Sequence, residues 1–148
     1  MTRRNINYEQ PFVIHLNGGA TWYDGVTSVA LKAGYIVKIG ANNELEFPLA
    51  GDGGPIFFVD GRSFMRGENI IDSTYNIGDT IHYFSGHNGS MVLARITTDG
   101  STTISKGDGL ELGSNGLVTK KSSGIEIGTA QDDIPVSQTE AFITVLLK

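Results

Sequence analysis

The chain has 148 residues, a formal net charge of −5 and no cysteine. A chain of this length suits one domain and buries about 70% of its unfolded surface, so a core can form without covalent staples. Disulfides, thiolate metal sites and cysteine nucleophiles are excluded. The 11 basic residues are scattered rather than striped, which argues against a nucleic-acid footprint. No apolar run approaches the roughly 20 residues of a membrane-spanning helix.

Glycine is abundant, with 20 residues against four prolines, and 39% of the chain is hydrophobic. Glycines set singly and in pairs between short apolar runs mark an all-β domain with many turns.

In chain order, MTRRNINYEQ (residues 1–10) carries two arginines with no apolar stretch behind them. It reads as a polar extended arm rather than a signal peptide. PFVIHL (residues 11–16) alternates, placing Phe12, Ile14 and Leu16 on one face of a strand. NGGATWYDG follows, with Trp22 and Tyr23 at a loop–strand junction. Aromatics there either plug a core or form a platform on which a sugar ring stacks. SVAL and YIVKIG come next, and in the latter Tyr35, Val37 and Ile39 alternate with Ile36 and Lys38. PIFFVDG (residues 55–61) is almost continuously apolar, the pattern of a strand buried on both faces. Residues 64–78 have no sustained helical period and contain Gly67, so a long loop is expected, with room for one helical turn. DTIHYF, MVLARI, LELG, GLVT, IEIGTA and FITVLL complete the strands. The expected architecture is a single all-β domain over residues 11–148, a small barrel or sandwich built of short hairpins.

The strands also repeat. Setting Gly34 on Gly107 places Val37 on Leu110, Ile39 on Leu112, Gly40 on Gly113 and Asn42 on Asn115. A looser third copy sets Gly78 and Asp79 on Gly107 and Asp108, and needs one extra residue before His87, Asn88 and Gly89. Each unit is a glycine turn, a strand, an asparagine-containing turn and a returning strand. Asn-Gly between alternating apolar residues signals a hairpin whose two turn residues both take positive φ. The aspartate after the turn glycine is placed to cap local amides.

Candidate chemistry is sparse. KGDGLELGSNGLV (residues 106–118) has Asp108 and Glu111, but strand alternation turns residues three apart to opposite faces, and calcium needs several oxygen ligands at short spacing. Lys106, Gly107 and Asp108 form an integrin-type tripeptide that the hairpin repeat already explains. Asp132 and Asp133 are neighbours on an apparent turn. His15, His82 and His87 are the only imidazoles, and no third ligand joins the latter two for zinc. The phosphate-cradling GxxxxGK[ST] pattern and the GxSxG nucleophile elbow are both absent. Asn88, Gly89 and Ser90 match a glycosylation sequon inside a tight turn. GRSFMRG, IDSTY and GDTIHYF are faintly similar to dUTPases. Phe64 and Thr74 depart from that pattern, however, and FITVLLK replaces a glycine-rich closing tail. No catalytic residue, metal site or cofactor is expected, and the chain is not expected to be an enzyme.

The order of polar arm, LKAGYIVKIG, GDTIHYF, KGDGLELGSNGLV, IGTAQDDI and AFITVLLK resembles the small capsid decoration, or cement, proteins of tailed bacteriophages. The resemblance implies a β-rich structural virion protein, a homotrimer without enzymatic activity on the outer capsid surface, where it stabilises the shell. It implies the major capsid protein as partner, with no nucleic acid or membrane. By the same resemblance Thr2, Arg3, Arg4, Asn5, Ile6, Asn7 and Tyr8 form the capsid-contact arm. The alternative is a carbohydrate-binding or host-attachment module displayed on a phage particle, with Trp22 and Tyr23 stacking on a sugar.

Overall fold

A computed structural model describes residues 14–61, 74–97, 102–135 and 140–148. The expected arm over residues 1–10 and most of the expected loop over 64–78 lie outside them. Among the described residues, eleven strands make up two antiparallel sheets. The first contains, in spatial order, β1 (His15–Asn17), β7 (Met91–Arg95), β11 (Phe142–Leu147), β10 (Gly128–Ala130), β8 (Gly109–Leu112) and β9 (Val118–Lys120). The second runs β2 (Ala20–Val26), β6 (Thr80–Gly86), β5 (Phe57–Val59), β3 (Ile36–Ile39) and β4 (Leu45–Glu46). Among the described residues neither sheet closes on itself, so the architecture is a sandwich rather than a barrel.

Alternation builds two cores from one sheet. Ile36, Phe58 and Phe84 leave the five-stranded sheet inward and pack with Val92, Ile143, Leu110 and Leu112 of the six-stranded sheet. Their chain neighbours Val37, Val59 and Tyr83 point the other way, into a second cluster with Leu31, Leu45, Tyr75 and Ile81. The five-stranded sheet is therefore covered on both faces, which is why residues 55–61 read as an unbroken apolar run. Each large apolar side chain so buried contributes about 1.5–3 kcal/mol. Leu110 and Leu112 both face the main core, a choice that alternation alone leaves open.

The repeat is physical at its first turn. Gly34, Gly78 and Gly107 take φ of 87°, 93° and 95°. In each case the following amide bonds the carbonyl three residues back: Tyr35 to Lys32, Asp79 to Asn76, and Asp108 to Ser105. Asp79 and Asp108 each accept a 2.8 Å bond from the amide of the residue three before, as expected of capping carboxylates.

The second turns diverge. Only Asn115 and Gly116 form a pair with both φ positive, at 57° and 75°. They close the β8–β9 hairpin as a single 3-10 turn. Asn43 alone serves the β3–β4 hairpin, with φ of 59°. The third unit is not a hairpin, because β6 and β7 belong to different sheets. β6 already has β2 on one side and β5 on the other, so it has no free edge for β7. Residues 87–90 instead make a corner in which only Gly89 has positive φ, at 84°. The corner is pinned by bonds from Gly89 to the Leu147 carbonyl and from His87 to the Gly19 carbonyl.

Two strand assignments also shift. SVAL is not a strand; Leu31 makes an isolated bridge to Tyr75, and the Thr27 hydroxyl donates to the Val29 carbonyl at 2.6 Å to form a local turn. ATWYDGV, read as a loop–strand junction, is the seven-residue strand β2 and pairs along its full length with β6.

Candidate functional site

The arm residues Thr2, Arg3, Arg4, Asn5, Ile6, Asn7 and Tyr8 lie outside the described residues. Trp22 and Tyr23 sit side by side on β2, so alternation sends them to opposite faces of the sheet. One flat ligand cannot stack on both. The Trp22 indole lies against His82, with centroids 5.0 Å apart and planes 8° from parallel, and it also touches Phe84 and His15. His82 Nδ1 is 2.8 Å from Asp24 Oδ1, and its Nε2 is 4.0 Å from the fully buried Asp60. On the opposite face Tyr23 stacks on Tyr83 at 5.4 Å, and Phe57 meets both rings edge-on. Burial, reinforced by Tyr23 and Asp24, pushes the Tyr83 phenol up.

His82 and His87 are not brought together. His82 is held by Asp24, while His87 Nε2 is 3.0 Å from the Thr21 hydroxyl across the corner. Asp132 accepts from the Thr144 amide and Asp133 from the Lys106 amide, so both carboxylates serve the backbone. Asp108 pairs with Lys120 at 3.4 Å in addition to its cap. Among the described residues, no group of three histidines or carboxylates is placed to hold a metal ion.

Buried Arg95 organises another cluster. Its Nε donates to the Ala33 carbonyl at 2.7 Å, and its guanidinium lies 4.3 Å from the Phe142 ring centroid. Nearby, the Tyr35 hydroxyl donates to Glu140. Burial, followed by that hydrogen bond, pushes the Tyr35 phenol up to about 12.

Glu111 is a nearly buried carboxylate with an open cleft beside it. Leu110 and Leu112 point into the core, so Glu111 projects from the outer face of the six-stranded sheet opposite Thr119 on β9. Two loops, residues 49–54 and 121–125, close over it and leave it 5% exposed. The loops are tied by a bond from the Ile125 amide to the Gly51 carbonyl, and Gly51 in turn bonds the Leu112 carbonyl. Glu111 Oε1 accepts from the Ser122 amide at 2.6 Å and from the Ser122 hydroxyl at 2.9 Å. Oε2 lies directly beneath Gly124, where a Cβ would overlap it. The Ser122 amide, aided by its hydroxyl and by the Gly124 amide, holds the Glu111 carboxyl below the usual carboxylate range, although burial pulls the other way. Beside it opens a cleft of about 410 Å³, whose lining includes Gly51, Glu111, Thr119, Ser123 and Gly124. The Leu-Glu-Leu alternation places Glu111 outside the core, but no sequence signal joins it to loops so distant along the chain.

No protein-family model matches the chain, and no curated protein matches it. Among solved structures, the fold is similar to the N base of the head fiber gp8.5 of bacteriophage phi29. The TM-score is 0.57 at 13% sequence identity, over 88% of this chain and 95% of that one. At that identity the likeness is one of fold, and it spans nearly the whole of both chains.

Proposed function

We propose that this chain is a structural virion protein seated on a phage head. The observation that carries the proposal is the fold similarity over 88% of the chain to the base of a phage head fiber. Four of the chain's carboxylates, Asp79, Asp108, Asp132 and Asp133, accept from backbone amides and so serve the scaffold.

In finer terms, the protein acts as a decoration protein: a homotrimer on the outer capsid surface that binds the major capsid protein and stabilises the shell, without enzymatic activity. Trimeric attachment multiplies effective concentration, so each copy need bind only modestly. An arm at residues 2–8 that adds to another chain's sheet edge gains main-chain hydrogen bonds without a distinctive side-chain pattern. Arg3 and Arg4 add charge-assisted bonds to acidic groups of the shell. The test is co-sedimentation with capsids of the full chain and of a chain lacking residues 1–8, with light scattering to count subunits. The full chain sediments with capsids and the truncated one stays folded but in the supernatant. Undiminished sedimentation of the truncation sinks the arm, and a full chain that never sediments sinks head attachment.

A second reading, that of a displayed host-attachment module, draws on the same similarity, because the neighbour is part of a head fiber. Its sugar-binding form can use only one of the two rings at a time: Tyr23 is exposed, whereas Trp22 is half-buried with its ring against His82. Glycan-array binding that Trp22→Ala abolishes would favour it.

A further inference from the structure

Glu111 presents a physical problem that its own fold leaves half solved. A nearly buried carboxylate is ordinarily matched by a cation as well as by hydrogen bonds, because amide donors alone do not neutralise it. Here the donors in contact are neutral: the Ser122 amide and hydroxyl, and the Gly124 amide. No ion pair within 4 Å reaches Glu111 among the described residues, and the Lys121 charge acts on it only through space. Lys120 is committed to Asp108 at 3.4 Å, and the Lys121 ammonium turns to the Ser122 carbonyl at 3.5 Å. A carboxylate has about four acceptor positions. Oε1 uses two of them on Ser122, and Oε2 retains capacity beside the cleft.

The cleft is suited to an incoming long side chain. Its volume of about 410 Å³ falls in the usual range of ligand pockets, roughly 300–1,000 Å³. Gly51 and Gly124 contribute wall without side chains, so a visiting stem can approach the backbone closely. Next in the chain to the lining residues Ala50 and Gly124 stand two exposed apolar residues, Leu49 at 72% and Ile125 at 60% exposure. Ile125 packs on Gly53, where a Cβ would come within 2.5 Å of it. An anionic floor with apolar residues close by in the same loops is complementary to a basic side chain, which carries a charged head on an aliphatic stem.

The geometry points to this cleft as the socket for a lysine or arginine side chain of a protein partner, with Glu111 as the counter-charge and the side-chain-free walls at Gly51 and Gly124 admitting its stem. This deepens the head-attachment reading and takes from it the partner, a capsid protein chain.

Two experiments separate the socket from that reading. In the first, the isolated protein is titrated with N-acetyl-lysine methylamide while the amide NMR signals of Gly51, Ser123 and Gly124 are followed. The matched probe carries an acetylated side-chain amine and so has no charge. Saturable shifts with the charged probe that are lost with the neutral one, and that weaken in high salt, support the socket. Equal shifts with both probes, or none with either, overturn it. In the second, Thr119→Lys places a cation of the chain's own opposite Glu111 and closes the socket from within. Glu111→Gln risks releasing the loop that Ser122 holds, so Thr119→Lys is the cleaner variant, with its melting temperature as the folding control. If the wild type sediments with capsids, a folded Thr119→Lys should bind about tenfold more weakly or worse. Unchanged binding overturns the socket and leaves head attachment intact. A wild type that never sediments overturns head attachment, while the lysine probe still decides the socket.

Discussion

Gly116 and Gly89 offer a matched pair of substitutions that tests how the sheets are joined. Both take positive φ, 75° and 84° respectively. Alanine at either position meets the left-handed penalty of about 1–2 kcal/mol, offset by about 0.4–1 kcal/mol from the stiffer unfolded chain. Gly89→Ala meets nothing else, since no atom lies within 4 Å of the added Cβ. Gly116→Ala adds a methyl 2.6 Å from the Ile36 carbonyl oxygen and 3.1 Å from the Phe47 ring. The first neighbour is backbone and cannot swing away. The β8–β9 turn is thus seated directly against β3 of the other sheet, and the methyl pries the two apart. Overpacking of this kind costs about 1–3 kcal/mol more. The expected totals are about 1 kcal/mol for Gly89→Ala and about 3 kcal/mol for Gly116→Ala. At this chain length the difference lowers the melting temperature by a further 4–8 °C or about that. Urea unfolding followed by the single tryptophan, Trp22, reports both variants at equal m-value. If Gly116→Ala costs no more than Gly89→Ala, the turn is not what locks the sheets together.

Three further outcomes follow from the same geometry. Phe84→Ala removes a fully buried ring stacked on Phe58 at 5.5 Å, so urea unfolding should show a loss of about 3–5 kcal/mol; a loss under 1 kcal/mol would contradict its central place in the core. The native Tyr35 phenol, raised to about 12 against an ordinary value of 10, holds its proton longer than the unfolded chain does. Its contribution is therefore complete below pH 10 and lost as pH rises towards 12, and Tyr35→Phe should flatten that alkaline limb in pH-dependent melting. Glu111 has the opposite sign. Its native carboxyl lies below the usual range, so its contribution is present above about pH 4.3 and lost as pH falls through the lower native value. Glu111→Gln should lower stability at neutral pH and flatten the acid limb, and an acid limb identical to wild type would show that the Ser122 contacts do not stabilise the ionised form.

The sequence declared its strands where burial was one-sided or complete, and hid them where neither held. Residues 55–61 and 142–147 are apolar because both of their faces are covered, and they were legible at once. β2 was not, because it is an edge strand whose residues largely alternate between half-buried and exposed, with Asp24 facing water and Gly25 near its end. Glycine and aspartate argue for turns on composition alone. Here Asp24 is instead the partner of His82, and the ring edge of Tyr83 occupies the space a side chain at position 25 would fill. The third repeat misled for a related reason. Its opening turn shares the positive-φ glycine with the other two and the capping aspartate with the Gly107 copy, but hairpin or corner is decided by whether the neighbouring edge is free. That depends on β2 and β5, which no local pattern mentions.

A fold shared at 13% identity shows how little particular sequence the sandwich requires. Inward alternation and a handful of left-handed turn positions specify it, and many sequences meet those demands. The proposed socket lies elsewhere, in residues that are individually ordinary. An exposed Leu49 or Ile125 means nothing alone, since more than half of a folded surface is apolar. Glu111 in a strand is equally unremarkable. They acquire meaning only because Gly53 lets Ile125 lie flat against the 49–54 loop, and because Ser122 draws the 121–125 loop over the carboxylate. Glycine-rich loops of this kind read in sequence as mere connection. In three dimensions their missing side chains are what leave the cleft open beside a charge.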